Sequence, residues 1–315
     1  MNKKTVAIVL CVVLVCLAAM TGCAPQKKFV NIATGGTSGT YFPLGGAMAE
    51  IWNKNIKGMN ATAQSTGASV ANVNMLKEGK VEVIMVQNDI AYYAATGTEM
   101  FKDKKVDDIL GLVTLYPETI QIVARAESNI KTIADLKGKK IAVGAAGSGT
   151  EANARQILGE AGITYNDITP QYLSFAEAAN NLKDGNIDAA FLTAGHPTAA
   201  VQDIAAQHKI VLIPIEDDLA DKVIKRYPFY TKVNIPANTY NGVTEPAKAL
   251  AVMAMLASSS KLDEKTVTAM LTTLYANTDR IKAAHKVGEK IKKETAKDGM
   301  PIKLHPGAEK FFGAK

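Results

Sequence analysis

Residues 29–52 read FVNIATGGTSGTYFPLGGAMAEIW, and the order of residue types in this stretch decides the fold. FVNIAT, residues 29–34, alternates like a strand. Gly35-Gly36-Thr37-Ser38-Gly39-Thr40 is a loop of glycines and hydroxyls, and a helical pattern follows from Tyr41 through Trp52. The same order returns downstream. Lys140–Val143 is a short apolar strand, GAAGSGT (144–150) a glycine-rich loop, and Glu151–Ala161 a helix with Ile157 and Leu158 on one face. A second pair repeats in step: SVANVNMLKEGKVE (69–82) against FAEAANNLKDGNID (175–188). Both run helix, Leu-Lys-acid-Gly, acid and then an apolar strand, Val83–Val86 or Ala189–Leu192. The glycine after each helix suits a left-handed C-cap, and both strands are expected to be buried. Gly39 and Gly149 stand 110 residues apart, Gly79 and Gly185 106 apart, so one structural unit is used twice.

Strand-helix alternation predicts parallel sheets covered by helices on both faces. The repeat predicts two such lobes rather than one large sheet. The expected fold class is therefore α/β: two α/β lobes joined by a two-strand hinge, with a ligand cleft between them. The first lobe is expected to run to about Ile122 and to cross through Gln121–Ala126 (QIVARA); the return crossing is placed at Thr231–Pro236 (TKVNIP). Lobe I then comprises residues 29–123 plus 233–315, and lobe II residues 124–232. Pro246 through Leu274 and beyond reads as helices packing back on the first lobe.

Outside this frame, Lys3 and Lys4 precede an apolar run from Val6 to Met20, which ends in Met20-Thr21-Gly22-Cys23. A basic start, a short apolar core and a small residue before the cut describe a secretory leader over residues 1–22. Cys23 resembles a bacterial lipobox cysteine, so it is the expected lipidation site. Residues 23–28 then form the anchor linker, and the lipid bilayer is one expected partner. Cys11 and Cys16 fall in the leader, which excludes an internal disulfide and a thiolate metal site in the mature chain. No metal or cofactor is expected. The net charge of +6 is spread along 315 residues and does not point to nucleic acid. The Lys-rich stretch Lys282–Lys293 is read as the solvated face of a helix.

The two glycine-rich loops are strand-to-helix loops, and in open α/β sheets ligands sit outside the carboxyl ends of the strands. Backbone N–H groups at a helix N-terminus attract an anion, so two loops facing one cleft favour a carboxylate; phosphate also fits this chemistry. Ser38, Thr40, Ser148 and Thr150 add hydroxyls, and Gly149 is read as the point where the backbone approaches the ligand. The competing reading is capping: Ser148 with Glu151, and Ser174 with Glu177, spell S-x-x-E boxes that need no ligand. Ser65, Thr66 and Gly67, and then Gln87-Asn88-Asp89, lie at further strand exits, with N-cap roles for Ser69 and Asp89 as the alternative. Tyr41, Tyr116 and Phe175 are candidate walls of the cleft. Neither loop is a nucleotide motif, since Thr150 stands where a P-loop needs Lys. No G-x-S-x-G elbow or H-E-x-x-H pair is present, and the four histidines are isolated, so no enzyme activity is expected. His196 follows a buried strand and is read either as structural or as a titratable ligand contact.

The segments IATGGTSGTYFPLGGAMAEI, STGASVANVNMLKEG, VQNDIAY, LYPE, GAAGSGTEANAR, PQYLSFAEAANNLKDGNIDAAFLTAGHPTAA and GMPIKLHPGAEKFF together resemble the TAXI family of TRAP-transporter solute-binding proteins. The resemblance implies a periplasmic-binding-protein-like type II fold and an extracytoplasmic receptor that captures a carboxylate-bearing solute such as glutamate, glutamine or 2-oxoglutarate. It also implies TRAP integral-membrane subunits as partners. Binding positions carried over are Thr34, Gly35, Ser38, Gly39, Thr40, Tyr41, Ser65, Thr66, Gln87, Asp89, Ser148, Gly149 and Thr150, with His196 bearing on ligand identity. No arginine is placed in the cleft: Arg155 pairs within its helix with Glu151. The alternatives on the same fold are the receptor of an ATP-driven importer and a sensory module that presents its ligand to a membrane receptor.

Overall fold

The computed structural model describes residues 27–313; the expected leader and the Cys23 anchor lie outside them. The first half of the chain runs β1 (Lys28–Ala33), α1 (Tyr41–Asn55), β2 (Met59–Gln64), α2 (Ser69–Lys77), β3 (Val83–Gln87), α3 (Asn88–Thr96) and β4 (Leu110–Arg125). The second unit continues with β5 (Lys140–Ala142), α4 (Gly149–Glu160), β6 (Thr169–Gln171), α5 (Phe175–Lys183), β7 (Ala189–Ala194) and α6 (Ala199–Gln207). Then come β8 (Ile210–Leu212), α7 (Asp217–Arg226), β9 (Thr231–Ile235) and β10 (Ala247–Ser258). Three helices close the chain: α8 (Glu264–Ala276), α9 (Thr278–Ala284) and α10 (Pro306–Gly313).

Both copies of the sequence repeat fold as expected. Gly79 and Gly185 take φ of 71° and 76° just beyond α2 and α5, the left-handed conformation that only glycine adopts without a Cβ penalty. The strands β3 and β7 that follow are buried along their whole length. Successive residues serve opposite faces. Val83 and Met85 join the core beneath α1 and α8, while Ile84 and Val86 join the core beneath α2 and α3. In the second lobe Ala189 and Phe191 face α4, whereas Ala190 and Leu192 face α5 and α6.

The connection between the lobes differs from the expected pair of short crossings. One sheet runs through the molecule in the order β2-β1-β3-β10-β4-β7-β5-β6. The long strands β4 and β10 pair antiparallel and traverse both lobes. On β4, Tyr116 belongs to a first-lobe core and Ile120 to a second-lobe core; on β10 the same division falls between Val252 and Ala254. The crossing is therefore at Pro117-Glu118-Thr119 and Met253. Register shifts on β4 around Leu115 and Leu112 mark bulges beside it, the kind of irregularity that lets a strand bend.

Thr231–Pro236, the expected return crossing, instead holds the edge strand β9, paired with the start of β10. β10 itself, AKALAVMAMLAS, is rich in helix formers and lies in a region read as helical. It is a strand because it pairs along its edges with β3, β4 and β9 and is buried on both faces, and those contacts outweigh local propensity. The Lys282–Lys293 stretch is likewise not one helical face: α9 stops at Ala284, short helical turns follow, and Val287, Gly288 and Ile291 turn inward. Gly288 lies against the Ile281 carbonyl, where a Cβ would approach to 2.7 Å. The closing helices do return to the first lobe, burying Val267, Leu271, Ile281 and Phe311 in its core.

Candidate functional site at the lobe interface

A cavity with about 570 Å³ of space between protein atoms, part of it open to solvent, lies between the lobes. The N-cap residues of five helices line it: Thr40 before α1, Ala68 before α2, Gln87 before α3, Ser148 before α4 and Ser174 before α5. The positive ends of five helix dipoles therefore converge on one space. No Lys, Arg or His lines it among the described residues.

The repeat explains the convergence. Gly35 and Ala145, Gly39 and Gly149, and Thr40 and Thr150 stand 110 residues apart and line the cavity in pairs. At a spacing of 106 so do Ala68 and Ser174, Ser69 and Phe175, and Gln87 and Thr193. Ala68 holds φ 70° and ψ −149°, a conformation ordinarily reserved for glycine, in the cavity wall.

Of the residues singled out from sequence, the structure brings Gly35, Gly39, Thr40, Tyr41, Thr66, Gln87, Ser148, Gly149 and Thr150 to this cavity, with Tyr116 and Phe175. The others stand elsewhere. Thr34 is buried under β2, donating to the Gln64 carbonyl at 2.6 Å. Ser38 gives its carbonyl to the Ala200 N–H across the cleft at 3.4 Å, and Ser65 is exposed. Asp89 is fully buried, accepting from Asn153 at 3.1 Å. His196 lines a separate surface groove with Lys286 and Lys290 and shares a hydrogen bond with Thr119 at 3.0 Å. Burial, then the charges of Lys290 and Lys286, push its pKa down to about 4, so it is neutral at pH 7.

The capping alternatives are partly realised. Ser148 accepts from the Glu151 N–H at 3.1 Å while also lining the cavity. Ser174 and Glu177 form the full reciprocal box. Ser69 does not cap: it is the first residue of α2, and its hydroxyl accepts from the Gln87 N–H at 3.2 Å. The room at Gly149 is not open to a ligand either, since a Cβ there would overlap the side-chain amide of Gln87. Arg155 pairs with Glu151 at 3.4 Å, as expected, and also reaches Glu99 of the other lobe at 3.7 Å.

Sequence reasoning missed the chemical centre of the cleft. Glu118, on the crossing segment of β4, lines the cavity and accepts from the Tyr41 hydroxyl and, at 3.5 Å, from Gln87 Nε2. Burial pushes its carboxyl up to about 8 and outweighs both hydrogen bonds, which act downward. The available signal was an acid inside the otherwise apolar strand LGLVTLYPETIQIVA. The second missed residue is Asn153 on α4. Its Oδ1 accepts from Gln87 Nε2 at 3.1 Å, and its Nδ2 donates to Asp89 at 3.1 Å and to Tyr230 at 2.8 Å. Gln156, one turn on, donates to Tyr93 at 3.2 Å. These bonds tie α4 of the second lobe to β3 and α3 of the first. Burial raises the Asp89 carboxyl to about 7.

Four buried side-chain polar atoms lack a partner among the described residues. Three of them, Gln87 Oε1, Tyr116 Oη and Thr193 Oγ1, belong to residues lining this cavity. No group of His, Cys, Asp and Glu among the described residues could hold a metal ion.

A model of the NMT1-like family matches residues 32–314. An Escherichia coli (strain K12) protein named for binding aliphatic sulfonates is 40% identical over 80 residues, which is 25% of this chain and 25% of that protein. Among solved structures, an L-cystine ABC transporter protein from Listeria monocytogenes superposes with a TM-score of 0.51 at 17% identity, over 85% of this chain and 99% of its own. The ligand-binding component of an ABC-type import system from Staphylococcus aureus superposes with 0.51 at 10% identity, over 87% and 82%. At such identities the likeness shows the fold, which is the periplasmic-binding-protein-like α/β fold. The family match over nearly all of the chain overturns the resemblance to TAXI proteins, and the TRAP subunits expected as partners go with it.

Proposed function

Because the chain belongs to the NMT1-like family, we propose that it is the extracytoplasmic solute-binding receptor of an ABC-type importer, closing its lobes on a small organic anion. The observation that carries this reading is the interlobe cavity, with five helix N-termini in its wall and buried polar atoms that no group among the described residues satisfies. Each N-terminus favours a negative charge by about 0.3–1 kcal/mol, and more where water is excluded. With no basic side chain in the wall, the anion would rest on backbone N–H groups and on the hydroxyls of Thr40, Ser148 and Thr150. Carboxylates and sulfonates both suit such a shell, and a sulfonate agrees with the name of the Escherichia coli relative. An acylated Cys23 would tether the receptor beside its transporter; replacing it with Ser should abolish incorporation of labelled fatty acid.

The test is thermal unfolding of the chain from Ala24 onward against a panel of alkanesulfonates and carboxylates, with and without amino groups. A ligand that binds only the folded state adds about 2.7 kcal/mol at a hundredfold excess over its dissociation constant, a clear rise in midpoint. No rise with any member would overturn the anion reading.

A further inference from the structure

Among the described residues the cleft is lined by one carboxyl group and no basic residue. Glu118 is 2% exposed and lines the cavity; its recorded side-chain partners are the Tyr41 hydroxyl on α1 and the Gln87 amide on β3. Among the described residues no Lys, Arg or His lines the cavity to neutralise it. Beside it, Tyr116 Oη, at 0% exposure, and Thr193 Oγ1, at 5%, have no hydrogen-bond partner among the described residues, and both residues line the same cavity. Hydroxyls can accept as well as donate, so three acceptor positions gather where β4 meets β7, while the helix N-termini supply donors around them.

We propose that the solute is a zwitterion, an amino acid or an aminoalkanesulfonate, and that Glu118 with Tyr116 and Thr193 receives its ammonium group while the helix N-termini receive its anion. This rests on the receptor reading above and adds the second charge of its ligand. Ammonium supplies three donors, matching the carboxylate and the two hydroxyls. A simple anion would leave a buried carboxyl facing it, an arrangement tolerable only with that carboxyl protonated.

Proton linkage makes the difference measurable. The titratable groups near Glu118 are Tyr41, Tyr116 and, through the Gln87–Asn153 pair, Asp89; none is cationic. With its carboxyl pushed up to about 8, Glu118 is mostly protonated at pH 7 in the empty site. An ammonium ion drives that proton off, because the charged form now has a partner. The proton goes to buffer and the ammonium keeps its own.

The experiment is calorimetric titration of the chain from Ala24 with matched pairs: taurine and ethanesulfonate, glutamate and glutarate, alanine and propionate. Each is run at pH 7 in two buffers of different ionisation enthalpy. At least one aminated member should bind roughly tenfold to a hundredfold tighter than its partner, the worth of a buried charged hydrogen bond, and release close to one proton. Glu118→Gln keeps the shape and the acceptor for Tyr41. It should unfold at a similar temperature, bind both members of that pair alike and release no proton. Tighter or equal binding of the unaminated member in every pair overturns the zwitterion while leaving an anion receptor standing. Binding of none overturns both.

Discussion

Replacing Asn153 by Ala removes three hydrogen bonds at once, and only two of them join the lobes. The bonds to Gln87 and Asp89 cross the cleft, whereas the bond to Tyr230 stays within the second lobe. Gln87 Nε2 still reaches Glu118 and the Tyr230 hydroxyl still donates to Gln156, while the Asp89 carboxyl keeps the Ile90 N–H on Oδ1 and loses the donor to Oδ2. The typical net worth of such a bond is about 1 kcal/mol. Global stability should fall by about 3 kcal/mol. Closure should lose about 2 kcal/mol, and a solute that binds only the closed form should bind about thirtyfold more weakly. Urea denaturation reads the first number, calorimetry with the best solute the second, and small-angle scattering reports the open fraction. Tyr230→Phe is the control, since it breaks only second-lobe bonds and should lower stability while leaving affinity within about twofold. Wild-type affinity and an unchanged radius of gyration in Asn153→Ala would refute the idea that this residue latches the lobes.

Three further outcomes follow from the same geometry. Burial holds Asp89 near 7 and Glu118 near 8, so the folded chain keeps protons that the unfolded chain releases near pH 4. Stability of the ligand-free protein should fall as pH rises from 6.5 to 8, by at most about 1.4 kcal/mol per pH unit and group. His196, with its lowered pKa, acts in the opposite sense only below about 6.5. Denaturant midpoints at pH 6.5, 7 and 8 check this, and a flat profile would contradict it. Ala68→Gly should raise stability by about 1 kcal/mol, read as a higher urea midpoint, because relief of the strained φ exceeds the entropy that glycine adds to the unfolded chain; a lower midpoint would contradict the strain. Gly149→Ala should cost about 2 kcal/mol by driving Gln87 off Asn153 and Glu118, and Gln87→Ala should make the same change nearly neutral in a double-mutant cycle; additive losses would remove the proposed clash.

The parts of the fold legible in sequence are those whose cause is local. The alternation in FVNIAT and the glycines that cap α2 and α5 act within a few residues of where they are written, and each copy of the repeat is such a local pattern written twice. The parts that were not legible depend on partners far along the chain. AKALAVMAMLAS carries a helix former's composition and becomes a strand because β3 and β4 pair with it on both sides. Glu118 stands in a motif that drew attention, LYPE, but only Tyr41, 77 positions away, and Gln87, 31 away, reveal that its carboxyl is enclosed. Gly149 suggested space for a ligand because a missing side chain does not say whose atoms fill the gap; Gln87 fills it.

The repeat also separates two tasks within the cleft. Positions that come in pairs, such as Thr40 with Thr150 and Ala68 with Ser174, build a shell of helix N-termini from both lobes, so a ligand drawn to that shell is drawn to both halves at once. If the solute is the proposed anion, closure is coupled to its binding through symmetry. Glu118 and Tyr116 have no counterpart, because β4 belongs to the crossing and not to either copy. The paired positions 87 and 193 have diverged in reach. Gln87 is long enough to cross the cleft to Asn153, whereas Thr193 is not, and its hydroxyl is left without a partner among the described residues. The latch is thus one-sided, and the short side of the pair leaves a polar atom free beside the one carboxyl. A receptor built this way can change which second group its solute carries through residues 116, 118 and 193 without disturbing the bonds that hold the lobes together.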